Sequence, residues 1–219
     1  MTTNVKTTLG LVVAGVIALA ALLYFADSRP AAPAGTEAPA AAGTLVRPDS
    51  HRLATAPDGA PEFVEFLDFE CGSCYAAFPA VEQIRAEYAG RVTFVVRYFP
   101  IPSHANGENA AIAVEAAAQQ GRFEDMYRTM FETQPQWGEQ QQSQAPRFRQ
   151  FAAGLGLDLA AYDRAVADPA TLERVRADQE DGYAAGVRGT PTFFVDGTRL
   201  EPRSVADLRV ALDSALADR

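Results

Sequence analysis

Residues 66–79 of the chain read FLDFECGSCYAAFP, and this short stretch contains both cysteines of the 219-residue sequence. Cys71 and Cys74 are separated by Gly72 and Ser73, and they follow a run of aromatic and branched residues that is typical of a buried strand. Two cysteines cannot form the disulfide framework of a small secreted protein. The role of a C-x-x-C pair at the junction between a strand and a helix therefore indicates which kind of protein this is.

Three kinds of site could use this cysteine pair. A structural zinc site needs two more ligands, and the chain offers only His51 and His104, which are far apart and lack ligand spacing. A structural disulfide would close so short a loop that it would restrain the unfolded chain little. A redox-active dithiol suits the position best, because unpaired N–H groups at the start of a helix stabilise a thiolate at Cys71 and lower its pKa. Cys74, one helical turn later, would then be the less exposed partner.

The residues around the pair predict a strand–helix–strand unit. Residues 63–69 (FVEFLDF) predict a buried strand, and so do residues 92–99 (VTFVVRYF). Residues 75–88 carry apolar side chains at helical spacing, with Pro79 inside the pattern, so we expect a helix with a kink at the proline. A helical connection between the strands predicts a parallel pair in a right-handed βαβ unit.

The second half of the chain predicts helices, then a hairpin and a final helix. Apolar stripes at helical spacing recur up to Gly186, and Asp168 followed by proline predicts a helix start within this part. Asp196-Gly197 separates two short apolar runs and predicts a hairpin, and Ser204 predicts the N-cap of the last helix. We expect the order β-α-β, a helical insertion, and then β-β-α.

Two motifs and the order of these elements resemble the thioredoxin superfamily. Cys71-Gly72-Ser73-Cys74 with Pro79 resembles its active-site helix, and residues 186–192 (GVRGTPT) resemble its cis-proline loop. The helical insertion, at about residues 103–186, and the stretches RYFPIPSH and AAAQQGRFEDMY resemble the DsbA-like branch. The resemblance implies an α/β thioredoxin fold over residues 50–219, in which a central mixed sheet is flanked by helices and carries an all-helical insertion.

The resemblance also implies roles for individual residues. Cys71 would attack a sulfur of the substrate, and Cys74 would resolve the mixed disulfide. Pro191 is expected to follow a cis peptide bond, so that Thr190 can offer backbone hydrogen bonds to an extended substrate peptide. By itself the sequence also allows an ordinary trans bond before a strand, although a cis bond is plausible only at proline.

The dipeptide between the cysteines departs from the DsbA-like oxidants, which commonly carry proline and an imidazole or aromatic residue there. Gly72 and Ser73 fill these positions here, and we include both among the substrate-binding residues. No imidazole lies between the cysteines to stabilise the thiolate, although Ser73 can donate a hydrogen bond. The direction of the reaction therefore stays open between oxidation and reduction or isomerisation.

Glu65 is the candidate proton acceptor. Members of the superfamily often carry a buried acid in this strand, which is thought to help move the proton of the resolving cysteine. Burial in an apolar strand raises the pKa of a carboxyl group, which suits a proton acceptor at Glu65. The alternative is that its side chain reaches solvent at the end of the sheet.

Other polar and aromatic residues near these motifs are predicted to be structural. Asp68 and Glu70 lie on the opposite face of the strand from Glu65, and we expect them to be surface charges near the site. His104 is interpreted as a loop-packing or capping residue rather than as a contact of the active site. Trp137, the single tryptophan, is expected in the core of the insertion.

The N-terminal residues predict a membrane anchor. Residues 9–25 (LGLVVAGVIALAALLYF) carry no charge and are at the short end of what spans a bilayer. Because Lys6 precedes them, we expect a single transmembrane helix with residues 1–8 in the cytoplasm. A signal peptide cleaved after Ala18-Leu19-Ala20 is the alternative. Residues 26–49 are rich in proline and alanine and predict an extended tether.

The net charge of the chain and its expected compartment restrict the functions that are possible. The net charge of −9 argues against nucleic acid as a partner, since phosphate binding needs a basic surface. We expect no metal or cofactor, and we predict a membrane-tethered, extracytoplasmic thiol–disulfide oxidoreductase that acts on cysteine-containing exported polypeptides. An oxidase, reoxidised by a membrane quinone-linked enzyme by family analogy, is the first hypothesis. The alternatives are a reductase or isomerase with a reductant partner, and a peptide-binding module without turnover.

Overall fold

The computed structural model describes residues 44–219, which contain one mixed five-stranded sheet. The strands are β1 (His51–Ala54), β2 (Glu62–Leu67), β3 (Thr93–Tyr98), β4 (Thr192–Val195) and β5 (Thr198–Leu200). Their order across the sheet is β1-β3-β2-β4-β5. Strands β2 and β3 are parallel, whereas the other neighbouring pairs are antiparallel. The predicted central mixed sheet is therefore confirmed.

Helices lie between and after these strands. They are α1 (Gly72–Glu87), α2 (Gly107–Ala118), α3 (Phe123–Thr133), α4 (Ala145–Gly154), α5 (Leu159–Ala167), α6 (Pro169–Ala184) and α7 (Val205–Ala217), with a 3₁₀ turn (Gln134–Gln136) directly after α3. Helices α2 to α6 all fall between β3 and β4. They form the predicted helical insertion, which is therefore confirmed.

The βαβ unit around the cysteines is also confirmed. Strands β2 and β3 pair in register from Glu62 opposite Thr93 to Leu67 opposite Tyr98, and α1 connects them. Pro79 lies inside α1, which continues through it as one helix although proline supplies no N–H donor. The carboxyl end of β2 therefore leads directly into the amino end of α1, where both cysteines lie.

Strand β1 was absent from the predicted order, which is wrong at its start. The strand has four residues, pairs antiparallel with β3 at the edge of the sheet, and has a register irregularity between Arg52 and Ala54. Leu53 is its one buried side chain. A strand this short, with a single buried residue, shows neither the alternation nor the apolar run from which strands are predicted.

The predicted helix start and hairpin in the second half are confirmed. The Asp168 side chain caps α6, and Ser204 forms a capping box with Asp207 at the start of α7. Asp196 and Gly197 have φ angles of 46° and 81° between β4 and β5. Both angles are positive, as a tight hairpin with the right-handed strand twist requires.

The two faces of the central strands are buried by different parts of the chain. One face packs against α1 and the insertion, where Trp137 is fully buried as expected. The other face forms a smaller cluster, against which Leu45 and Val46 pack from a segment that the sequence assigned to the tether. Members of this smaller cluster are Val64, Phe66, Val95, Phe99, Ala185, Val187 and Phe194.

The predicted anchor lies outside the described residues, as do residues 1–8 and 26–43. Within residues 44–219, no helix combines the length and the apolar character that crossing a bilayer requires.

Candidate active site

The two cysteines occupy the first turn of α1, and both are free thiols. Cys71 is the N-cap residue, with an extended backbone (φ −69°, ψ 121°), and it is 9% exposed. Cys74 is one turn further along the helix and is fully buried. The predicted positions and relative exposure of the pair are therefore confirmed, because Cys71 keeps a small exposed surface and Cys74 has none.

The loop before β4 lies against Cys71. In its protonated form, the Cys71 thiol donates a hydrogen bond of 3.3 Å to the carbonyl oxygen of Thr190, 119 residues away in the sequence. The peptide bond between Thr190 and Pro191 is cis. The structure thus brings the C-x-x-C motif and the predicted proline loop together at the carboxyl end of the central strands.

The surroundings of Cys71 favour its thiolate. A hydrogen bond with the Cys74 thiol is the largest effect, and together with hydrogen bonds from the amide groups of Cys74 and Ser73 it lowers the pKa of Cys71 to about 5. Partial burial acts in the opposite direction. These amides belong to the first turn of α1, where backbone N–H groups lack partners within the helix. Cys71 is therefore ionised at neutral pH and suited to act as nucleophile and leaving group.

The surroundings of Cys74 favour its protonated thiol. Burial is the main cause that raises the pKa of Cys74 well above 9.0, and the hydrogen bond to Cys71 and the negative charge of Glu65 raise it further. One hydrogen bond between the two sulfurs therefore lowers the pKa of Cys71 and raises that of Cys74. This asymmetry gives the two cysteines different chemical properties.

Glu65 is buried in the middle of the sheet rather than exposed at its end. It is 3% exposed and lies in β2 between Val96 of β3 and Phe193 of β4. Burial raises the pKa of Glu65 to about 8, and the nearby charge of Glu82 contributes. Among residues 44–219, no Lys, Arg or His pairs with this carboxyl group, which is close enough to Cys74 to influence its pKa. Glu65 can therefore hold or accept a proton at neutral pH.

The expectation that Asp68 and Glu70 are surface charges is wrong, because they are 1% and 4% exposed. Asp68 accepts hydrogen bonds from the backbone N–H groups of Glu70 and Ile101, both at 2.8 Å. Its Oδ2 also lies 2.6 Å from Nδ1 of His104. Burial raises the pKa of Asp68, and these hydrogen bonds oppose that effect. His104 therefore contacts the loop that leads to Cys71, which fits the loop-packing role that the sequence favoured.

Two buried residues at this site were not predicted. The backbone N–H of Asn106 donates a 2.6 Å hydrogen bond to the Glu70 carboxylate. Gln134, from the 3₁₀ turn after α3, donates to the carbonyls of Phe69 and Cys71. The sequence carries no signal for either contact, because each depends on how the insertion folds back onto the sheet.

A family model described as thioredoxin matches residues 53–214 of the chain. The chain belongs to the thioredoxin family. The match includes both cysteines, Glu65 and the Thr190–Pro191 loop, so it covers all the residues that form the site.

Solved structures of thioredoxin-family proteins have similar folds. A thioredoxin-like oxidoreductase from Silicibacter pomeroyi DSS-3 is 25% identical, with a TM-score of 0.65 over 77% of this chain and 93% of that one. Wolbachia pipientis alpha-DsbA1 is 17% identical, with a TM-score of 0.70 over 80% of this chain and 94% of that one. The DsbA-like form of the thioredoxin fold, with its helical insertion, is thereby confirmed.

Curated relatives of this thioredoxin-family chain carry a different description. The Na(+)/H(+) antiporter NhaA 1 of Mycobacterium sp. (strain KMS) is 34% identical over 180 residues, which is 78% of this chain. The Na(+)/H(+) antiporter NhaA of Herminiimonas arsenicoxydans is 35% identical over 155 residues, or 71% of this chain. The matches span 28% and 24% of those two proteins, so they concern one part of each relative.

Proposed function

We propose that this protein is a thiol–disulfide oxidoreductase that exchanges disulfides with cysteine-containing exported polypeptides. The observation that carries the proposal is the asymmetric pair at the start of α1. Cys71 is the more exposed of the two, at 9%, and has a pKa of about 5, whereas Cys74 is fully buried and has a raised pKa. An exchange reaction needs one exposed thiolate and one partner within reach of it.

Oxidation of a substrate would proceed in two balanced steps from the Cys71–Cys74 disulfide. A substrate thiolate attacks the sulfur of Cys71, so a mixed disulfide forms and Cys74 leaves and takes up a proton. A second substrate thiolate then attacks the substrate sulfur of the mixed disulfide, and Cys71 leaves as a thiolate. The substrate loses two electrons and the protein gains them. The low pKa makes Cys71 the better leaving group in the second step.

Glu65 would accept the proton of the Cys74 thiol and return it. When Cys74 attacks a mixed disulfide at Cys71, its thiol must first lose a proton in a buried environment. A carboxylate with a pKa of about 8 at Glu65 is a matched acceptor, and it can return the proton when Cys74 leaves. Thr190 contacts the Cys71 sulfur, Pro191 follows it in the same loop, and Gly72 and Ser73 directly follow Cys71 in α1, so these four residues would contact the substrate peptide.

We further propose that the protein oxidises its substrates and that it does so outside the cytosol. Residues 9–25 would anchor it in the membrane, and a membrane quinone-linked enzyme would reoxidise it. Dithiols are oxidised outside the cytosol, and a thiolate stabilised at Cys71 favours the reduced form of the protein and so makes its disulfide a stronger oxidant. The Gly72-Ser73 dipeptide, which lacks an imidazole, supports a reductase or isomerase as the second candidate. No transport activity is proposed, because the antiporter relatives are matched over about a quarter of their length.

The reduction potential measured against glutathione tests the direction. A value of about −120 to −180 mV is expected for an oxidase, whereas a value near −270 mV would favour the reductase. The Cys71 thiolate of Cys74→Ser should attack a disulfide-bonded peptide, displace one peptide thiolate and accumulate as the mixed disulfide, because the resolving thiol is gone. Cys71→Ser is the matched control and should form none. A wild-type protein that exchanges no disulfide with either glutathione or the peptide would leave the binding module as the remaining candidate.

Protein sequencing tests the anchor. A mature N-terminus near Ala21 would show that the segment is cleaved, whereas an intact N-terminus in the membrane fraction is expected for a retained anchor.

A further inference from the structure

Gln134 connects the helical insertion to the backbone of the active-site loop. It is 6% exposed and lies in the 3₁₀ turn directly after α3. Its Nε2 donates hydrogen bonds of 2.8 Å to the carbonyl of Phe69 and 3.0 Å to the carbonyl of Cys71. A carboxamide nitrogen carries two N–H donors, so both are used, and the two acceptors lie on either side of Glu70.

The backbone that carries this side chain is itself held in place. The Gln134 carbonyl accepts hydrogen bonds from the N–H groups of Trp137, at 3.0 Å, and Gly138, at 2.7 Å. Trp137 is fully buried and packs edge-to-face on Phe148, with ring centroids 4.9 Å apart. A Cβ at Gly138 would lie 3.1 Å from the Gln134 carbonyl oxygen, so glycine permits the close approach. The backbone of Gln134 is therefore held in place, and its side chain can restrain the loop.

The bonds from Gln134 complete the restraints on the backbone of Cys71. The Cys71 N–H donates to the Asp68 carbonyl at 3.1 Å, and the Cys71 carbonyl also accepts from the N–H of Tyr75 at 3.0 Å. The sulfur of Cys71 faces the amides of Ser73 and Cys74 in the same turn of α1. A small shift of this backbone would lengthen the hydrogen bonds from those amides to the sulfur.

We propose that Gln134 is a positioning residue for disulfide exchange: its carboxamide holds the carbonyls of Phe69 and Cys71 and keeps the Cys71 sulfur against the amides of the first turn of α1. The inference rests on the proposed function, because it concerns the same sulfur. Gln134 touches neither the sulfur nor a substrate and acts through the backbone of the loop. The redox equilibrium of the cysteine pair therefore depends on Gln134, a residue of the insertion.

The test compares Gln134→Leu with the wild-type full-length protein. Thiolate absorbance of the reduced form, followed against pH, should show the pKa of Cys71 raised by about one unit. The equilibrium with glutathione should shift about tenfold toward the protein disulfide, which corresponds to a potential about 30 mV more negative. Gln136→Leu is the matched control, because Gln136 is an exposed glutamine of the same turn, and both quantities should stay at their wild-type values.

These readouts separate positioning from a purely structural role. A change that only loosens the fold lowers the stability of the oxidised and reduced forms alike and leaves their equilibrium unchanged. A folded Gln134→Leu protein whose Cys71 pKa and glutathione equilibrium both match the wild type would overturn the inference. A wild-type protein without exchange activity would instead contradict the proposed function, whatever the variant does.

A second variant covers the case in which Gln134→Leu does not fold. In Gln134→Glu the introduced carboxyl keeps one donor when protonated, but when ionised it places negative oxygen against the two carbonyls. The exchange rate relative to the wild type should therefore fall as the pH rises from about 5 to 8. A constant ratio across this range would contradict the inference.

Discussion

Two ionisable side chains are buried at neighbouring positions of the central strands, on opposite faces of the sheet. Arg97 of β3 faces the smaller cluster and is fully buried, with Nε 2.8 Å from Oδ1 of Asp178 on α6. It also bonds Asp181 and the carbonyl of Thr44. Glu65 of β2 faces the main core, and no cation among residues 44–219 pairs with it.

The difference between the two sites shows how burial can serve structure or chemistry. The guanidinium of Arg97 has partners on α6 and on the N-terminal segment, so its charge is compensated and it ties these elements to the sheet. The carboxyl group of Glu65 has no such compensation, so burial raises its pKa to about 8 and its proton can move at neutral pH. Two predictions test this contrast, and a third tests how closely α6 packs on the face of the sheet that carries Arg97.

Glu65→Gln should have the largest effect. The pKa of Glu65 is about 8 in the folded protein and 4.5 ordinarily, so between these values the unfolded state loses a proton that the folded state keeps. The contribution of Glu65 to the free energy of unfolding is therefore largest below pH 4.5 and falls as the pH rises to 8, by roughly 5 kcal/mol in total. Glu65→Gln should abolish this fall and be more stable than the wild type at pH 8.

Urea denaturation of the disulfide form at pH 5 to 9 measures this effect without titration of the thiols. Glu62→Gln, at the half-buried start of the same strand, is the control and should retain the wild-type fall. If Glu65→Gln showed the same pH dependence as the wild type, Glu65 would not be the uncompensated acid described here.

Arg97→Met should have the next largest effect, in the opposite direction. Removal of the cation leaves the buried carboxylate of Asp178 with Arg174 as its remaining ion-pair partner. Loss of one partner of a buried ion pair typically costs about 3–5 kcal/mol of stability, and the contact with Arg174 should place the loss at the lower end of this range. Chemical denaturation at pH 7 measures the loss. Arg149→Met is the matched control, because Arg149 pairs with Asp163 on the surface, and its denaturation midpoint should not change.

A double variant sharpens the Arg97 prediction. When Asp178→Asn is added to Arg97→Met, the buried negative charge is removed while a side-chain oxygen remains for the N–H of Tyr98, so part of the stability should return. An equal or greater loss in the double variant would mean that packing, rather than the charge left at Asp178, causes the effect.

Gly182→Ala should have the smallest effect of the three. Gly182 lies in α6 where this helix crosses the smaller cluster, and a Cβ there would be 2.7 Å from the ring of Phe99 and 3.0 Å from that of Phe66. Overpacking of this kind costs about 1–3 kcal/mol. Gly154→Ala in α4 is the control, since a Cβ there meets nothing within 4 Å, and alanine should stabilise that helix. Thermal denaturation that showed both alanines stabilising would disprove the close approach of α6 to the sheet.

Local chemistry made much of the fold predictable. Strands β2 and β3 carry apolar residues on both faces, interrupted at Glu65 and Arg97, because both strands are central and buried on both sides. The caps at Asp168 and Ser204 act on their own helices, and the Asp196-Gly197 turn involves adjacent residues only. Strand β1 was missed because it is held by pairing with β3 and has a single buried side chain.

The candidate site likewise contains some residues that the sequence predicts and others whose role depends on contacts between distant parts of the chain. Cys71 and Cys74 were predictable because a thiol at the start of a helix responds to the dipoles of its own turn. The burial of Asp68 and Glu70 was not, because their partners come from the loop after β3 and the beginning of the insertion. Alternation along a strand indicates the face on which a side chain lies, but not what covers that face.

The sequence by itself therefore determined the thioredoxin-family framework and the reactive pair, since helix starts, turns and apolar periodicity depend on interactions between residues close along the chain. Only the tertiary structure decided that Thr190 contacts Cys71, that Glu65 lacks a cation and that Gln134 holds the active-site loop. These contacts join residues that are distant in the sequence. Their positions depend on how the helices of the insertion pack onto the sheet, which a pattern of residue types does not specify.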